Sequence, residues 1–305
     1  WCTILSFGQT NATHLNFDGV NDQVNLGNSL SSEIDPLNTI TVEAWVYPTQ
    51  LTSYNGCVIG NYSYPTDNSQ LQFLIRREGS TYSFFINDGT GIKVVSAPPG
   101  TASINTWTHV AGVWDGSEIR IYINGILQGT TTGVTGSNFV SLTNSFAIGF
   151  SYAGDPSEAF RGSIDEVRVW NTVRTTEQIN GSKNCELAGT ESGLLRYYNF
   201  NQGNDAGNNT TITSLTDATA NANNGTLTNF TLTGATSNWL AGSPITTGSV
   251  VPSVATVTTP DVYNQNDTAD PLSATTGTNG SGLLWYATAT GGTGSATAPT
   301  PSTAT

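Results

Sequence analysis

The chain of 305 residues has no Met, two His and only 9 Lys plus Arg against 22 Asp plus Glu, a formal charge of −13. With so few cations, no basic patch can displace counterions from phosphates, and a nucleic-acid partner is excluded. Charged residues make up 10% of the chain, and Lys and Glu are scarce. That poverty of strong helix formers points away from helices. No apolar run approaches the length of a membrane span. The three cysteines, Cys2, Cys57 and Cys185, contain no C-x-x-C, which removes zinc-ribbon and thioredoxin-like readings.

What is present suits strands and turns. Gly (33) and Thr are abundant, and aromatics reach 10% with 7 Trp, ample for a core. TITVEAWVY at 39–47, closed by Pro48, alternates apolar and polar or amphipathic residues. Asp88-Gly89, Asp115-Gly116 and Asn124-Gly125 are hairpin signals between further strand-like runs. Strands recur every roughly 8–12 residues, as in a two-sheet sandwich. The fold class predicted is all-β: a two-sheet antiparallel jelly-roll sandwich followed by a partial immunoglobulin-like β module. Residues 1–8, apolar and ending in Ser6-Phe7-Gly8, read as a signal-peptide remnant, so the chain is expected to be exported. The jelly roll is assigned to 9–240, a Gly/Ser/Pro/Thr-rich linker to 241–251, and the partial module to 252–305. One short helix is expected at 176–180, capped by Thr175 or Thr176.

The stretch GSIDEVRVWN at 162–171 reads as a strand with one buried face. Its adjacent acids, Asp165 and Glu166, fall on opposite faces if the strand is regular. They then cannot flank one glycosidic bond as a catalytic pair. Glu33-Ile34-Asp35-Pro36 approaches an acidic hydrolase motif but lacks a third acid. His109 sits inside a strand, between Thr108 and Val110, and reads as a packed residue. No catalytic residue is assigned, and the chain is read as a non-enzyme.

HLNFDGVND at 14–22, TVEAWV at 41–46, WTHVA at 107–111, IYING at 121–125 and GSIDEVRVW at 162–170 occur in one order. Together they resemble the laminin-G-like, pentraxin-like jelly roll of the concanavalin A-like superfamily. CEL at 185–187, YYNFNQG at 197–203 and NGTLTNF at 224–230 resemble the form of this domain found in Bacteroidetes surface proteins. LWYATATGGTGS at 284–295 resembles the immunoglobulin-like repeats of their large adhesins, including gliding-motility adhesins exported by type IX secretion.

The resemblance implies a structural Ca²⁺ held by the Asp-Gly loop and the acid of the later strand. Here that means Asp18, Gly19, Asn21, Asp22 and Asp165, hard oxygen donors of the kind Ca²⁺ takes. The alternative is that Asp18 and Asp22 only cap turns while Asp165 accepts backbone N–H groups. Loop aromatics Tyr62, Tyr64, Tyr152 and Trp239 are candidate platforms for sugar rings. If Cys2 leaves with the signal peptide, Cys57 and Cys185 are a candidate disulfide. Asp267-Thr268-Ala269 matches a Bacteroidetes O-glycosylation pattern, which makes Thr268 a candidate. The function expected is a secreted or cell-surface adhesin that binds glycans or surface macromolecules. The alternatives are an assembly module without a ligand, or an accessory domain of a polysaccharide-degrading enzyme.

Overall fold

The computed structural model describes residues 12–51, 55–62, 70–150, 156–245, 256–257, 264–275, 297–300 and 302–303. In chain order its strands are β1 (Thr13–Asp18), β2 (Gln23–Gly27), β3 (Ile40–Pro48), β4 (Asn55–Gly60), β5 (Phe73–Glu78) and β6 (Thr81–Asn87). They continue with β7 (Ile92–Ser96), β8 (Thr108–Trp114), β9 (Glu118–Ile123), β10 (Ile126–Thr132), β11 (Phe146–Ile148) and β12 (Arg161–Trp170). The last are β13 (Leu194–Tyr198), β14 (Ser214–Leu215), β15 (Gly225–Thr228), β16 (Trp239–Ala241), β17 (Thr256–Val257) and β18 (Ala274–Thr275). Two short helices, α1 (Ser29–Ile34) and α2 (Thr176–Ser182), interrupt them.

Strands β1–β16 form two antiparallel sheets, and β17 and β18 pair separately. One runs β10-β9-β8-β3-β12-β1-β16, with β13 also on β12; the other runs β14-β15-β2-β11-β4-β5-β6-β7. The expected all-β jelly-roll sandwich is what forms. The alternation read from TITVEAWVY is the reason: Ile40, Val42, Ala44 and Val46 are fully buried between the sheets. Leu15 and Phe17 of β1 and Ile164, Val167 and Val169 of β12 join the same core. Gly112 is needed where the sheets approach, because a Cβ there would lie 2.3 Å from the Phe84 ring.

Chain ends and covers depart from expectation. The Ala241 onset of the expected linker belongs to the domain. Ala241 lies in β16 against Thr13, Ser243 Oγ donates to the Asp165 carboxylate, and Ile245 is buried. The expected signal remnant, 1–8, lies outside the described residues. Of the module at 252–305, β17 pairs with β18, and Thr303 hydrogen-bonds Asn266 and Asp267. Helix α1 was not expected; its Glu33 pairs with Arg196 at 2.7 Å. Asp35, just beyond it, accepts from Gln72 Nε2 at 2.6 Å and Ser141 Oγ at 2.6 Å. The Glu33–Asp35 acids are therefore structural. Helix α2 starts where expected, with a reciprocal Thr175–Gln178 capping box. Among the described residues no helix is long and apolar enough to cross a membrane.

Candidate functional site

β12 carries a bulge. Asp165 pairs with Trp45 and Arg168 with Glu43, so Glu166 and Val167 stand opposite one residue, and Glu166 has φ +53°. The extra residue overturns the expectation that adjacency separates the acids. Ile164, Val167 and Val169 enter the core, which leaves Asp165, Glu166 and Arg168 together on the outer face of the first sheet.

That outer face has two halves. One is covered by α2 and the chain on either side of it. Beneath lie Glu43, His109, Glu166, Arg168 and Tyr197, each 2% exposed or less. Arg168 donates to Glu166 Oε2 at 2.5 Å, to Ser182 O at 3.0 Å and to the Cys185 carbonyl. Tyr197 Oη donates to Glu166 at 2.9 Å, and Trp170 Nε1 to Glu43 Oε1 at 2.9 Å. Burial would raise the Glu43 carboxyl, but His109 at 3.2 Å and the Arg168 charge hold it down at about 2. Burial pushes Glu166 up to about 7 against the pull of Arg168, and raises Asp165 as well, with Glu166 adding repulsion. The partner of Glu166 is Arg168, two residues away on its own strand.

The other half is open and forms a groove of about 710 Å³. Register builds it. Asn16 of β1 pairs with Ser163 of β12, Ser163 with Tyr47 of β3, and Asp18 with Arg161. Trp107 stands beside Tyr47, ring centroids 5.4 Å apart, and His14 meets the Trp107 ring edge-on at 5.1 Å. Tyr47 and Trp107 are half-buried and Arg161 is exposed. Trp107 is held by Nε1 donating to Gly242 O at 3.0 Å. Asn16 Nδ2 donates to Gly162 O at 3.2 Å and Ser163 Oγ at 3.1 Å, and its Oδ1 accepts from Ser237 N at 3.2 Å. Burial pushes the His14 imidazole down to about 4, with Asp205 opposing. It is therefore neutral at physiological pH.

The predicted metal set is not brought together. Asp22 accepts from Asp18 N at 2.8 Å and Ser237 Oγ at 2.9 Å, and burial pushes it up to about 7. Asp18 Oδ1 accepts from Val20 N at 2.8 Å. Gly19 has φ +76°, and Asn21 is exposed. Asp165 lies further along β12, because Asp18 pairs with Arg161 and Leu15 with Ile164. Its oxygens accept from Glu166 N and Ser243 Oγ. Among the described residues no three His, Cys, Asp or Glu side chains gather to hold a metal ion. A calcium held by these residues does not fit. The turn-capping alternative describes Asp18 and Asp22.

The predicted aromatics also move. Trp239 is wholly buried in the core, packed where Gly203 leaves room. Tyr62 is 8% exposed in a satellite cluster with Cys57, Leu71 and Leu74, with Arg76 5.8 Å over its ring. Tyr64 and Tyr152 lie outside the described residues. Cys57 is a free, buried thiol that burial shifts upward, and Cys185 is disulfide-bonded. The expected Cys57–Cys185 bridge is therefore absent. Thr268 is exposed. Sequence reasoning passed over Tyr47 and Trp107 because it sought platforms in loops. The signal was the outward set of β3, Glu43-x-Trp45-x-Tyr47, beside a Trp at the start of the next strand.

Among solved structures, a candidate carbohydrate-binding protein from Bacteroides ovatus aligns with a TM-score of 0.52 at 20% identity, covering 71% of this chain and 58% of that one, a likeness of fold. The pentraxin-related protein PTX3 of Homo sapiens is 24% identical over 166 residues, 47% of this chain and 43% of its own length. A rat protein with sushi, von Willebrand factor type A, EGF and pentraxin domains is 21% identical over 57% of this chain and 5% of its own. The chain thus spans less than half the length of these curated relatives. Residues 18–180 match Laminin_G_3, and the chain belongs to this family of the concanavalin A-like lectin/glucanases superfamily.

Proposed function

We propose that the open groove on the first sheet binds carbohydrate and that the domain is a non-catalytic recognition module. The observation that carries this is the groove's composition. The Tyr47 ring and the Trp107 ring, the latter just before β8, stand beside an amide, a hydroxyl, a carboxylate and a guanidinium carried by the paired strands β1 and β12. Aromatic faces stack on the C–H faces of sugars, and fixed polar groups choose hydroxyls. Among the described residues Asp18 is the one acid lining the groove. A glycosidase centre of the usual kind needs two carboxyl groups facing one bond, so the groove is suited to holding sugar and not to cleaving it. The superfamily joins lectins and glucanases, and the Bacteroides ovatus protein of similar fold is a candidate carbohydrate binder; both support a sugar-binding reading.

A module of this kind fits a secreted or outer-surface protein that attaches to glycans or surface macromolecules, and adhesion is the role we assign it. The test is a glycan array followed by calorimetry on the wild type and Trp107→Ala. Sugar binding that Trp107→Ala weakens by about tenfold or more, with the fold retained, is expected from loss of a stacking platform. Binding that ignores Trp107 and Tyr47 would overturn the assignment of the groove.

A further inference from the structure

The groove's charges are arranged unevenly. Arg161 is exposed at its edge, and its stem lies across Gly19, where a Cβ would sit 2.6 Å from Arg161 Cβ. Glycine, at φ +76°, is what lets the side chain pass. Arg161 Nη1 donates to the neutral amide of Gln50 at 2.7 Å. Arg76, Lys93, Arg120, Arg168 and Arg196 each stand within ion-pair distance of a carboxylate. Among the described residues Arg161 makes no such pair. Its cross-strand neighbour Asp18 gives an oxygen to Val20 N instead.

In a chain of net charge −13, a guanidinium without a carboxylate is a vacancy for an anion. Beside it, His14 is 7% exposed and its Nδ1 has no hydrogen-bond partner. This ring contributes no positive charge at neutral pH, since burial holds it down at about 4. Among the described residues the groove therefore offers one cation and one carboxylate, Asp18, which disfavours a doubly charged phosphate. A planar guanidinium matches a carboxylate in a two-bond fork.

Resting on the carbohydrate reading above, we infer that the groove selects sugars bearing a carboxylate, such as uronic or sialic acids. Arg161 binds the acid group, Asp18 accepts from ring hydroxyls, and the Tyr47–Trp107 pair takes the ring face. Arg161 is thus a specificity-determining residue.

The test titrates the whole chain with oligogalacturonate, sialyllactose and their carboxyl-reduced counterparts, at low and high salt. The acidic form of at least one is expected to bind about tenfold to a hundredfold tighter than its reduced counterpart, as a charge-assisted pair supplies. High salt should narrow that gap. Arg161→Gln should erase it by bringing the acidic form down to the affinity of its reduced counterpart, and an unshifted thermal melt shows that the variant folds. Equal affinity for acidic and reduced forms, or a preference that survives Arg161→Gln, overturns the inference. If reduced sugars bind and depend on Trp107, the groove reading stands even then. If no sugar binds, both fall.

Discussion

The two halves of the outer face of the first sheet use the same strands and opposite strategies. In the covered half, Glu43, Glu166, Arg168, Trp170 and Tyr197 hydrogen-bond one another beneath α2, with Arg168 Nε left over. In the open half, Tyr47, Trp107 and Arg161 face a groove, and Arg161 has only an amide for company. Polar residues on a sheet face are thus no guide to function by themselves. The difference lies in whether the charges are already matched. A closed network adds specificity to the fold, whereas unmatched groups with apolar rings beside them add a capacity to bind.

The largest effect should come from breaking the covered half. Arg168→Met removes the cation that Glu43 and Glu166 share, 3.7 Å and 2.5 Å away. It leaves two buried carboxyls without their counter-charge, and a loss of about 3–5 kcal/mol in urea unfolding is expected. Tyr47→Ala is the matching change in the open half. It should shift stability by about 1 kcal/mol or less, because the ring is half-exposed, while removing one sugar platform. Comparable destabilisation by the two variants would break the contrast between a structural and a binding half.

Much of the fold was legible because it rests on local patterns. The period-two alternation of β3 and β12, the Gly-containing turns and the Thr175–Gln178 cap are all short-range signals. The site was less legible, for physical reasons that particular residues show. Nothing in SIDEVR announces a bulge: there is no Gly or Asn, yet Glu166 takes a left-handed conformation and turns beside Asp165. A regular-strand count then assigns the wrong face. Trp239 follows a turn-rich segment and looks like loop, but it pairs with Leu15 more than two hundred residues earlier and is buried by it. Tyr47 and Trp107 come together through the pairing of β3 with β8, a non-local fact that no window of sequence contains.

A third effect, smaller than that of Arg168→Met, concerns the β1–β2 loop. Burial raises Asp22 from its usual 3.8 to about 7, so the folded state binds the extra proton between these values. Stability from this group is therefore full below about pH 4 and declines as pH rises towards 7. Asp22→Asn cannot ionise and escapes the decline. Relative to wild type, it should gain about 1–2 kcal/mol between pH 4 and 7, a figure kept below the full linkage value because Asn must re-form the bond with Ser237. Urea midpoints at both pH values measure it. A variant that loses ground as pH rises would show that Asp22 is ionised in the folded protein. That result would also reopen the β1–β2 loop as a cation site.

The smallest expected effect tests what keeps the covered half covered. Thr175 Oγ1 accepts from Gln178 N at 3.2 Å, and Gln178 Oε1 accepts from Thr175 N at 2.9 Å. Thr175→Ala removes the first bond and costs about 1 kcal/mol. The loss should be local, because α2 is also held by buried Ile179 and by Asn180 Nδ2 donating to Gly125 O at 2.9 Å. Amide hydrogen exchange should therefore quicken in α2 first. It should spread next to the strands beneath, since Ser182 O accepts from Arg168 at 3.0 Å. Binding in the groove should stay unchanged, as no groove residue touches the cap. If sugar affinity fell together with α2 protection, the two halves would form one cooperative unit, and the cover would be part of the binding machinery.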